Sequence, residues 1–257
     1  MRIATYNIFE FMCLPSRNAA ASLGDKTDPR RIEYFAGVFE KLDCDVLAIQ
    51  EGTAPAKTMQ EIARRLKTYL ATIASPGNWP GQVLSRYPIV ESRAFSHFDP
   101  VEPVPVLSRC AGAARVQVSP SRQVWIVNLH LHPSDREMRT RECQVLASHI
   151  QSLEQQCPDV VVLGDFNSTV EEELHVWLDR RGYVNAVREA TGTLSFTMDT
   201  EGAKQQAIDH IYLSPSLAGA LQKAYVVREA GFRHDGPYGE SLWVPSDHLP
   251  VVAELAI

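Results

Sequence analysis

Short apolar runs alternate along the chain with segments whose apolar residues recur every three or four positions. The runs are rich in β-branched residues, which is typical of buried or half-buried strands. The predicted strands are residues 2–8, 45–50, 82–85, 114–118, 124–131, 160–163, 207–213, 224–228 and 249–255. Strands that alternate with helices throughout a chain indicate an α/β protein.

The helical segments carry start signals in the sequence. These signals are Asp28-Pro29, Thr53-Ala54-Pro55, Ser134-Asp135-Arg136-Glu137 and Thr169-Val170-Glu171-Glu172. The first combines an N-cap residue with proline at the first helical position, and the last two match the capping box. The apolar stripe of the second helix extends to Leu70, and Gly182 is expected to end the last helix.

Polar side chains that can bind a metal ion or a phosphate follow many of the predicted strands or precede the last one. They are Asn7, Glu51, His130, Asp165, Asn167, Asp209, Asp247 and His248. Strand ends of one sheet system gather at a common edge, where α/β proteins place their ligands. Each residue alone could be a cap, a turn residue or a solvated side chain, so the prediction of a shared site depends on their co-occurrence.

The chemistry that this set supports best is hydrolysis of a phosphoester with a divalent metal ion. Hard cations such as Mg²⁺ or Mn²⁺ prefer oxygen ligands and are held by one or two carboxylates plus the substrate phosphate. A His–Asp pair adds a general acid–base device, because the carboxylate orients the imidazole. The HExxH, GxSxG and GxxxxGK motifs of competing chemistries are absent from the sequence.

Composition bounds the class of protein without choosing a substrate. The chain has 257 residues, of which 45% are apolar, and a formal net charge of −6. These values exclude a disordered chain and a globally basic nucleic-acid coat protein. No apolar run reaches the roughly 20 residues of a membrane helix, and the N-terminus is typical of a strand rather than a signal peptide. Five cysteines without CxxC spacing predict buried free thiols, so we expect a cytoplasmic protein.

Seven motifs along the chain, taken in order, resemble those of the endonuclease/exonuclease/phosphatase superfamily. They are Thr5-Tyr6-Asn7, Ile49-Gln50-Glu51, Leu84-Ser85-Arg86-Tyr87-Pro88-Ile89, Asn128-Leu129-His130-Leu131, Gly164-Asp165-Phe166-Asn167, Ile208-Asp209-His210-Ile211 and Ser246-Asp247-His248-Leu249-Pro250. The resemblance covers residues 5–252 and therefore predicts a single catalytic domain, 1–257. It implies a deoxyribonuclease I-like four-layer sandwich, in which two mainly antiparallel sheets pack face to face with helices on both outer sides.

The resemblance also implies how the site residues divide the work of in-line attack by water on phosphorus. Glu51 would be the principal ligand of Mg²⁺ or Mn²⁺, supported by Asn7 and Asp247. Asp165 and Asn167 would position or activate the water and hold the phosphate.

The two histidines of the catalytic set have separate implied roles. His248, oriented by Asp209, would be the general acid–base or a phosphate contact. His130 would donate a hydrogen bond to a non-bridging oxygen.

Two arginines are candidate substrate contacts. Arg109 lies roughly where some members carry a basic phosphate contact, and the alternative is a surface arginine. Arg139 follows the predicted His130 strand by a few residues and could reach the rim of the cleft. Gln82 and His210 stand where Asn and Tyr are usual in the superfamily, which bears on the substrate class rather than on catalysis.

The charge and the loops favour a small or lipid-derived phosphodiester as substrate. Basic clusters are modest, and the irregular segments 75–81, 97–108 and 231–246 hold aromatic side chains that suit a small organic group. These aromatic residues are Trp79, Phe98, Phe232, Tyr238 and Trp243. A nuclease of the same superfamily and a catalytically inactive binding module are the alternatives. A bound cation would neutralise the site carboxylates, so the net charge argues only against a long polyanion.

Overall fold

The computed structural model describes residues 1–14, 20–95, 107–200, 204–229, 231–233 and 243–257. Most of the irregular segments 97–108 and 231–246 lies outside these residues, and so do Phe98 and Tyr238. Trp79, Phe232 and Trp243 lie within them.

The described strands form two six-stranded sheets and one two-stranded ribbon. They are β1 (Arg2–Asn7), β2 (Val46–Gln50), β3 (Tyr69–Ile73), β4 (Gly81–Ser85), β5 (Ile89–Ala94), β6 (Ala111–Ser119), β7 (Arg122–His130), β8 (Val160–Asp165), β9 (Val184–Asn185), β10 (Met198–Thr200), β11 (Lys204–Gln206), β12 (Asp209–Leu213), β13 (Leu221–Val226) and β14 (Val251–Leu255). The first sheet has the order β13-β14-β1-β2-β4-β3, and the second has the order β5-β6-β7-β8-β12-β9. Within both sheets neighbours are antiparallel except for the parallel pairs β1–β2 and β7–β8.

Six α-helices lie in the described part of the chain. They are α1 (Pro29–Leu42), α2 (Ala56–Leu66), α3 (Arg136–Glu154), α4 (Glu173–Arg180), α5 (Ala186–Thr191) and α6 (Pro215–Ala218). Asp28 caps α1 as predicted, because its side chain accepts a hydrogen bond from the backbone N–H of Arg30 at 2.9 Å.

The alternation of side chains along the strands produces four layers. Successive residues of a strand point to opposite faces, so each inner strand supplies two cores. In β2, Val46 faces the cluster between the sheets, whereas Leu47 packs with α1 and α2. In β8, Val161 faces the same central cluster, whereas Val162 packs with α3 and α4. Two sheets packed face to face between outer helices confirm the predicted fold class.

The structure corrects the predicted bounds of three helices. Helix α2 ends at Leu66 because Lys67 adopts the left-handed conformation, and Leu70 lies in β3 instead. Asp135, and not Ser134, caps α3 by accepting from the backbone N–H of Met138.

The predicted capping box at 169–172 does not begin α4. That helix starts at Glu173 without a side-chain cap, and the N–H of Glu172 donates to the Thr169 carbonyl to close a separate turn. Strands β3, β5, β9, β10 and β11 and helices α5 and α6 were not predicted.

The cysteines and the helices can be compared with what the composition predicts. All five cysteines are free thiols, and Cys13, Cys110 and Cys143 are buried. Within the described ranges, no helix combines the length and the apolar character needed to cross a bilayer.

Candidate functional site

The sheet topology brings the predicted polar residues to one edge of the sandwich. Asn7 ends β1, and Glu51 directly follows the parallel strand β2. His130 and Asp165 end the parallel strands β7 and β8, where they are direct partners in the register. Asp209 begins the antiparallel strand β12 opposite Asp165. The ends of the parallel strands therefore meet the start of the antiparallel strand β12 at the same edge of the sandwich.

Asp165 occupies the centre of this cluster. Its Oδ2 accepts a hydrogen bond from Nδ2 of Asn7 at 3.0 Å, and its Oδ1 accepts one from the backbone N–H of Asn167 at 2.9 Å. Nε2 of His130 and Nε2 of His248 lie 3.4 and 3.9 Å from Oδ2. The side-chain amide of Asn167 donates to the Leu131 carbonyl. The carboxylate thus faces two imidazoles, one at the end of β7 and one in the segment before β14.

Asp209 and His248 form a hydrogen-bonded pair that a threonine supports. Nδ1 of His248 lies 2.8 Å from Oδ2 of Asp209, and the Thr197 hydroxyl donates to the same oxygen at 2.6 Å. The Thr197 oxygen in turn accepts from the backbone N–H groups of Ile208 and Asp209. Sequence reasoning missed Thr197, because it lies in a polar segment whose pattern predicts no element.

Burial and charge push the pKa values of this cluster in different directions. Burial, reinforced by the negative charge of Asp209, raises the pKa of Asp165 to about 7, although His248 lowers it. Burial opposes protonation of His248, but Asp209, Asp165 and Asp247 outweigh it and raise its pKa well above the ordinary value. His248 is therefore an imidazolium at neutral pH.

His130 has the opposite charge state. Burial lowers the pKa of His130 far below its ordinary value, and the positive charges of Arg109 and His248 lower it further. Nη1 of Arg109 contacts Nε2 of His130 and lies 3.3 Å from Oε1 of Glu51. His130 is therefore neutral, and Arg109 lies next to His130 and Glu51 in the cluster.

Glu51 is held by a tight turn after β2. It adopts a left-handed backbone conformation with φ of 55°. The next residue, Gly52, donates its N–H to the Pro80 carbonyl and accepts at its own carbonyl from Nε2 of Gln82 at 2.8 Å. Gln82, where the superfamily usually has Asn, thereby fixes this turn. Burial raises the pKa of Glu51.

Asp247 reaches the cluster through the segment before β14. Its Oδ1 lies 4.0 Å from Nε2 of His248. The Ser246 hydroxyl donates to the Asn7 carbonyl at 2.7 Å and accepts the N–H of His248 at 3.1 Å. Ser246, which was not singled out as a site residue, ties this segment to β1.

The structure does not bring Arg139 into the cluster. Its guanidinium makes two 2.8 Å hydrogen bonds to the carboxylate of Glu172 and a third to the His132 carbonyl. His132, which has no implied role in the superfamily, accepts the N–H of Asp135 at Nδ1. Both residues join the start of α3 to its surroundings.

The cluster has the chemistry of a site for a hard divalent cation. Ligand atoms of Asp165, Asp209 and His248 lie within 4.8 Å of one another, and Glu51, Asn7 and Asp247 add oxygen donors around them. Oδ1 of Asp209 is buried without a hydrogen-bond partner among the described contacts. Burial and then the negative charge of Asp209 raise the pKa of Asp165, and a cation would offset both effects.

Comparisons with known proteins bear on the family and the fold of the chain. A model of the family described as "Endonuclease/Exonuclease/phosphatase family" matches residues 4–248. No curated protein matches the chain. A 3'-5' exonuclease from Neisseria meningitidis has 19% identity and a TM-score of 0.71, with 99% of each chain covered.

Two further solved structures show the same fold. A mannosyl-6-phosphatase from Bacteroides thetaiotaomicron has 17% identity, complete coverage of both chains and a TM-score of 0.70. The human Nocturnin catalytic domain has 16% identity and a TM-score of 0.70, covering 98% of this chain and 93% of that one. At these identities the likeness concerns the fold alone.

Proposed function

Because the chain belongs to the endonuclease/exonuclease/phosphatase family, we propose that it is a Mg²⁺- or Mn²⁺-dependent phosphodiesterase. The observation that carries this proposal is the pairing of a neutral and a protonated histidine on either side of Asp165. Asp165 can act as a base and the His248 imidazolium as an acid at this one buried point, as hydrolysis of a phosphoester requires.

The side chains divide the reaction between them. Asp165, whose pKa is raised to about 7, accepts a proton from the attacking water at Oδ2, and Asn167 holds the loop beneath it. The His248 imidazolium donates its Nε2 proton to the leaving oxygen, while Asp209 fixes its Nδ1–H. His130 contacts a non-bridging oxygen.

Glu51, Asn7 and Asp247 would hold the cation. When bound, a Mg²⁺ or Mn²⁺ ion would stabilise negative charge on the phosphoryl and leaving oxygens. The Asn7 amide is already oriented, because its Oδ1 accepts the Phe9 N–H and its Nδ2 donates to Asp165. Arg109 would add a positive charge next to Glu51.

The substrate that we propose is a small or lipid-derived phosphodiester. Double-stranded nucleic acid would need a broad cationic surface. Several arginines of the basic clusters are instead paired with carboxylates of their own molecule. Examples are Arg30 with Asp28, Arg64 and Arg65 with Glu61, Arg139 with Glu172, and Arg181 with Glu154. Such pairing leaves less positive potential for a polyanion.

The first experiment measures hydrolysis of bis-p-nitrophenyl phosphate with Mg²⁺, with Mn²⁺ and with EDTA. Glu51→Gln and His248→Asn are each expected to lose roughly 100-fold or more in kcat/KM, the usual size of a general acid–base contribution. Gln222→Ala, on the exposed edge strand β13, is the control. Full activity in both site variants would refute the proposal.

A second experiment separates the alternatives. Nicking of supercoiled plasmid is measured beside a panel of small and lipid phosphodiesters under the same metal conditions. Plasmid cleavage without turnover of the panel would make the protein a nuclease. Binding of the cation in a calorimetric titration without turnover of any substrate would instead indicate an inactive binding module.

A further inference from the structure

A stacked tryptophan and arginine close one side of the candidate site. Trp79 lies in loop 74–80 between β3 and β4, and its ring centroid is 4.5 Å from Cζ of Arg109. The Arg109 side chain is only 15% exposed, and its Nη1 is directed at Glu51 and His130. The contact is therefore largely shielded from water, where a cation–π interaction is strongest.

The backbone next to Arg109 is fixed separately, by hydrogen bonds to a buried carboxylate. Ser108 donates from its N–H and its hydroxyl to Oε1 of Glu142 at 2.8 and 2.6 Å. Glu142 is fully buried in α3, and its Oε2 accepts the N–H of His132 at 3.0 Å. One carboxylate thus holds both Ser108, next to Arg109, and His132, two residues after His130.

The loop that carries Trp79 is joined to the turn that carries Glu51. The carbonyl of Pro80 accepts the N–H of Gly52 at 2.9 Å. A Cβ on Gly77 would lie 3.3 Å from the indole of Trp79, so the loop backbone packs directly on the ring. The indole is therefore placed relative to the Glu51 carboxylate and not only relative to Arg109.

We propose that Trp79 is a positioning residue, which acts through Arg109 and holds its guanidinium toward the phosphate group of the substrate. This inference rests on the proposed function. A guanidinium donates hydrogen bonds in its own plane and stacks on an aromatic ring through its face, so the two contacts do not compete. Without the ring, the long Arg109 side chain gains rotamers that must be lost again on binding.

Replacement of the ring separates this role from a structural one. Trp79→Leu is expected to raise KM for a small phosphodiester by roughly five- to tenfold with little change in kcat, whereas Trp79→Phe restores most of the loss. The matched control is Trp177→Leu, which removes another tryptophan stacked on an arginine, Arg181, on the outer helix α4. That variant should leave KM unchanged.

A double-mutant cycle tests whether Trp79 acts through Arg109. In the Arg109→Gln background, Trp79→Leu should cause no further increase in KM. The same four proteins are titrated with inorganic phosphate by calorimetry, and the loss of phosphate affinity should follow the same pattern. This binding measurement needs no turnover, and circular dichroism of each variant shows that it is folded.

The outcomes distinguish this inference from the proposed function. If the wild-type protein turns over no phosphoester but its phosphate affinity falls in Trp79→Leu, the proposed function fails and the positioning role holds. If the wild-type protein is active and Trp79→Leu leaves both KM and phosphate affinity unchanged, the positioning role is overturned. A further loss from Trp79→Leu in the Arg109→Gln background also overturns it.

Discussion

At the scale of single residues, the two buried histidines of the cluster carry different charges. Burial alone would make both imidazoles neutral. His248 has the carboxylate of Asp209 at 2.8 Å and stays protonated, whereas His130 has the guanidinium of Arg109 and does not. The protonated state of His248 is therefore a consequence of Asp209, whereas burial makes His130 neutral and Arg109 reinforces that effect.

The charge of Asp209 can be removed with little change in shape. We expect Asp209→Asn to lower kcat/KM by about 100-fold or more, because a general acid loses its orientation and its proton. The raised pKa of His248 keeps the active protonated form present up to high pH. Asp209→Asn should lower the pKa of His248, and the basic limb of the kcat/KM profile should therefore move to lower pH. An unmoved basic limb would show that Asp209 does not set this pKa.

Gly52 tests the turn that presents Glu51. A Cβ there would meet Oε1 of Gln82 at 1.5 Å and displace the amide that binds the Gly52 carbonyl. Gly52→Ala should lower kcat/KM by roughly tenfold and destabilise the fold by about 1–3 kcal/mol, as overpacking does. Gly37→Ala in α1 is the matched control, since nothing lies within 4 Å of its added Cβ. Equal behaviour of the two variants in activity and urea unfolding would contradict this account.

At the scale of elements, the strands and helices that could be predicted are those whose apolar pattern is visible within their own segment of the sequence. The inner strands are long apolar runs, and Asn7, Glu51, His130 and Asp165 could be placed because they follow such runs. The strand β5 mixes apolar and charged residues, and Glu91 pairs both with Arg93 of the same strand and with Arg115 across the sheet. Its signal is therefore weak in the sequence.

The supporting residues of the site could not be predicted for a similar reason. Thr197 and Ser246 act through hydrogen bonds to residues 12 and 239 positions away, and no local pattern indicates such partners. Leu70 fitted the helical stripe of α2, but the left-handed Lys67 ends that helix first. A single backbone reversal thus moved Leu70 from the predicted helix to a strand, although its side chain still packs against the same apolar cluster as Met59 and Ile62.

Arg139 joins α3 to the segment before α4, and its substitution separates a structural from a substrate-binding role. The Arg139 and Glu172 side chains are 10% and 14% exposed. Arg139→Gln should destabilise the protein by about 3 kcal/mol, because it leaves a largely buried carboxylate unpaired. KM should not change. Arg136→Gln, whose pair with Glu173 is exposed, should leave stability nearly unchanged. A raised KM without loss of stability in Arg139→Gln would favour the substrate-binding role.

At the scale of the whole molecule, a buried amide network joins the two sheets beneath the site. Nε2 of Gln50 donates to Oδ1 of Asn128 at 2.7 Å, and the Asn128 amide donates to the carbonyls of Ile49 and Gln82. We propose that residues 1–257 form one domain for this reason. Thermal unfolding followed by near- and far-ultraviolet circular dichroism should give one coincident transition. Two separate transitions would show that the sheets unfold independently.

The stability of the whole molecule should fall in mild acid because of histidines outside the proposed chemistry. His175 is buried between the hydroxyls of Ser168 and Tyr212, and burial lowers its pKa to about 2, while burial lowers that of His210 to about 4. Below about pH 6.5 the unfolded chain binds protons that the folded chain does not, so each histidine removes about 1.4 kcal/mol of stability per pH unit. The free energy of unfolding continues to fall until the pH reaches the pKa of each histidine in the folded protein.

A variant isolates the contribution of His175 to this loss. His175→Gln keeps a hydrogen-bonding side chain between the two hydroxyls but cannot titrate. Urea unfolding at pH 7.5, 6 and 5 should show that the variant loses about 1.4 kcal/mol less per pH unit below 6.5 than the wild type does. Above pH 6.5 the imidazole is neutral in both states, so the two proteins should respond to pH alike. Parallel curves throughout the acid range would mean that His175 is protonated in the folded protein, which its burial between two hydroxyls opposes.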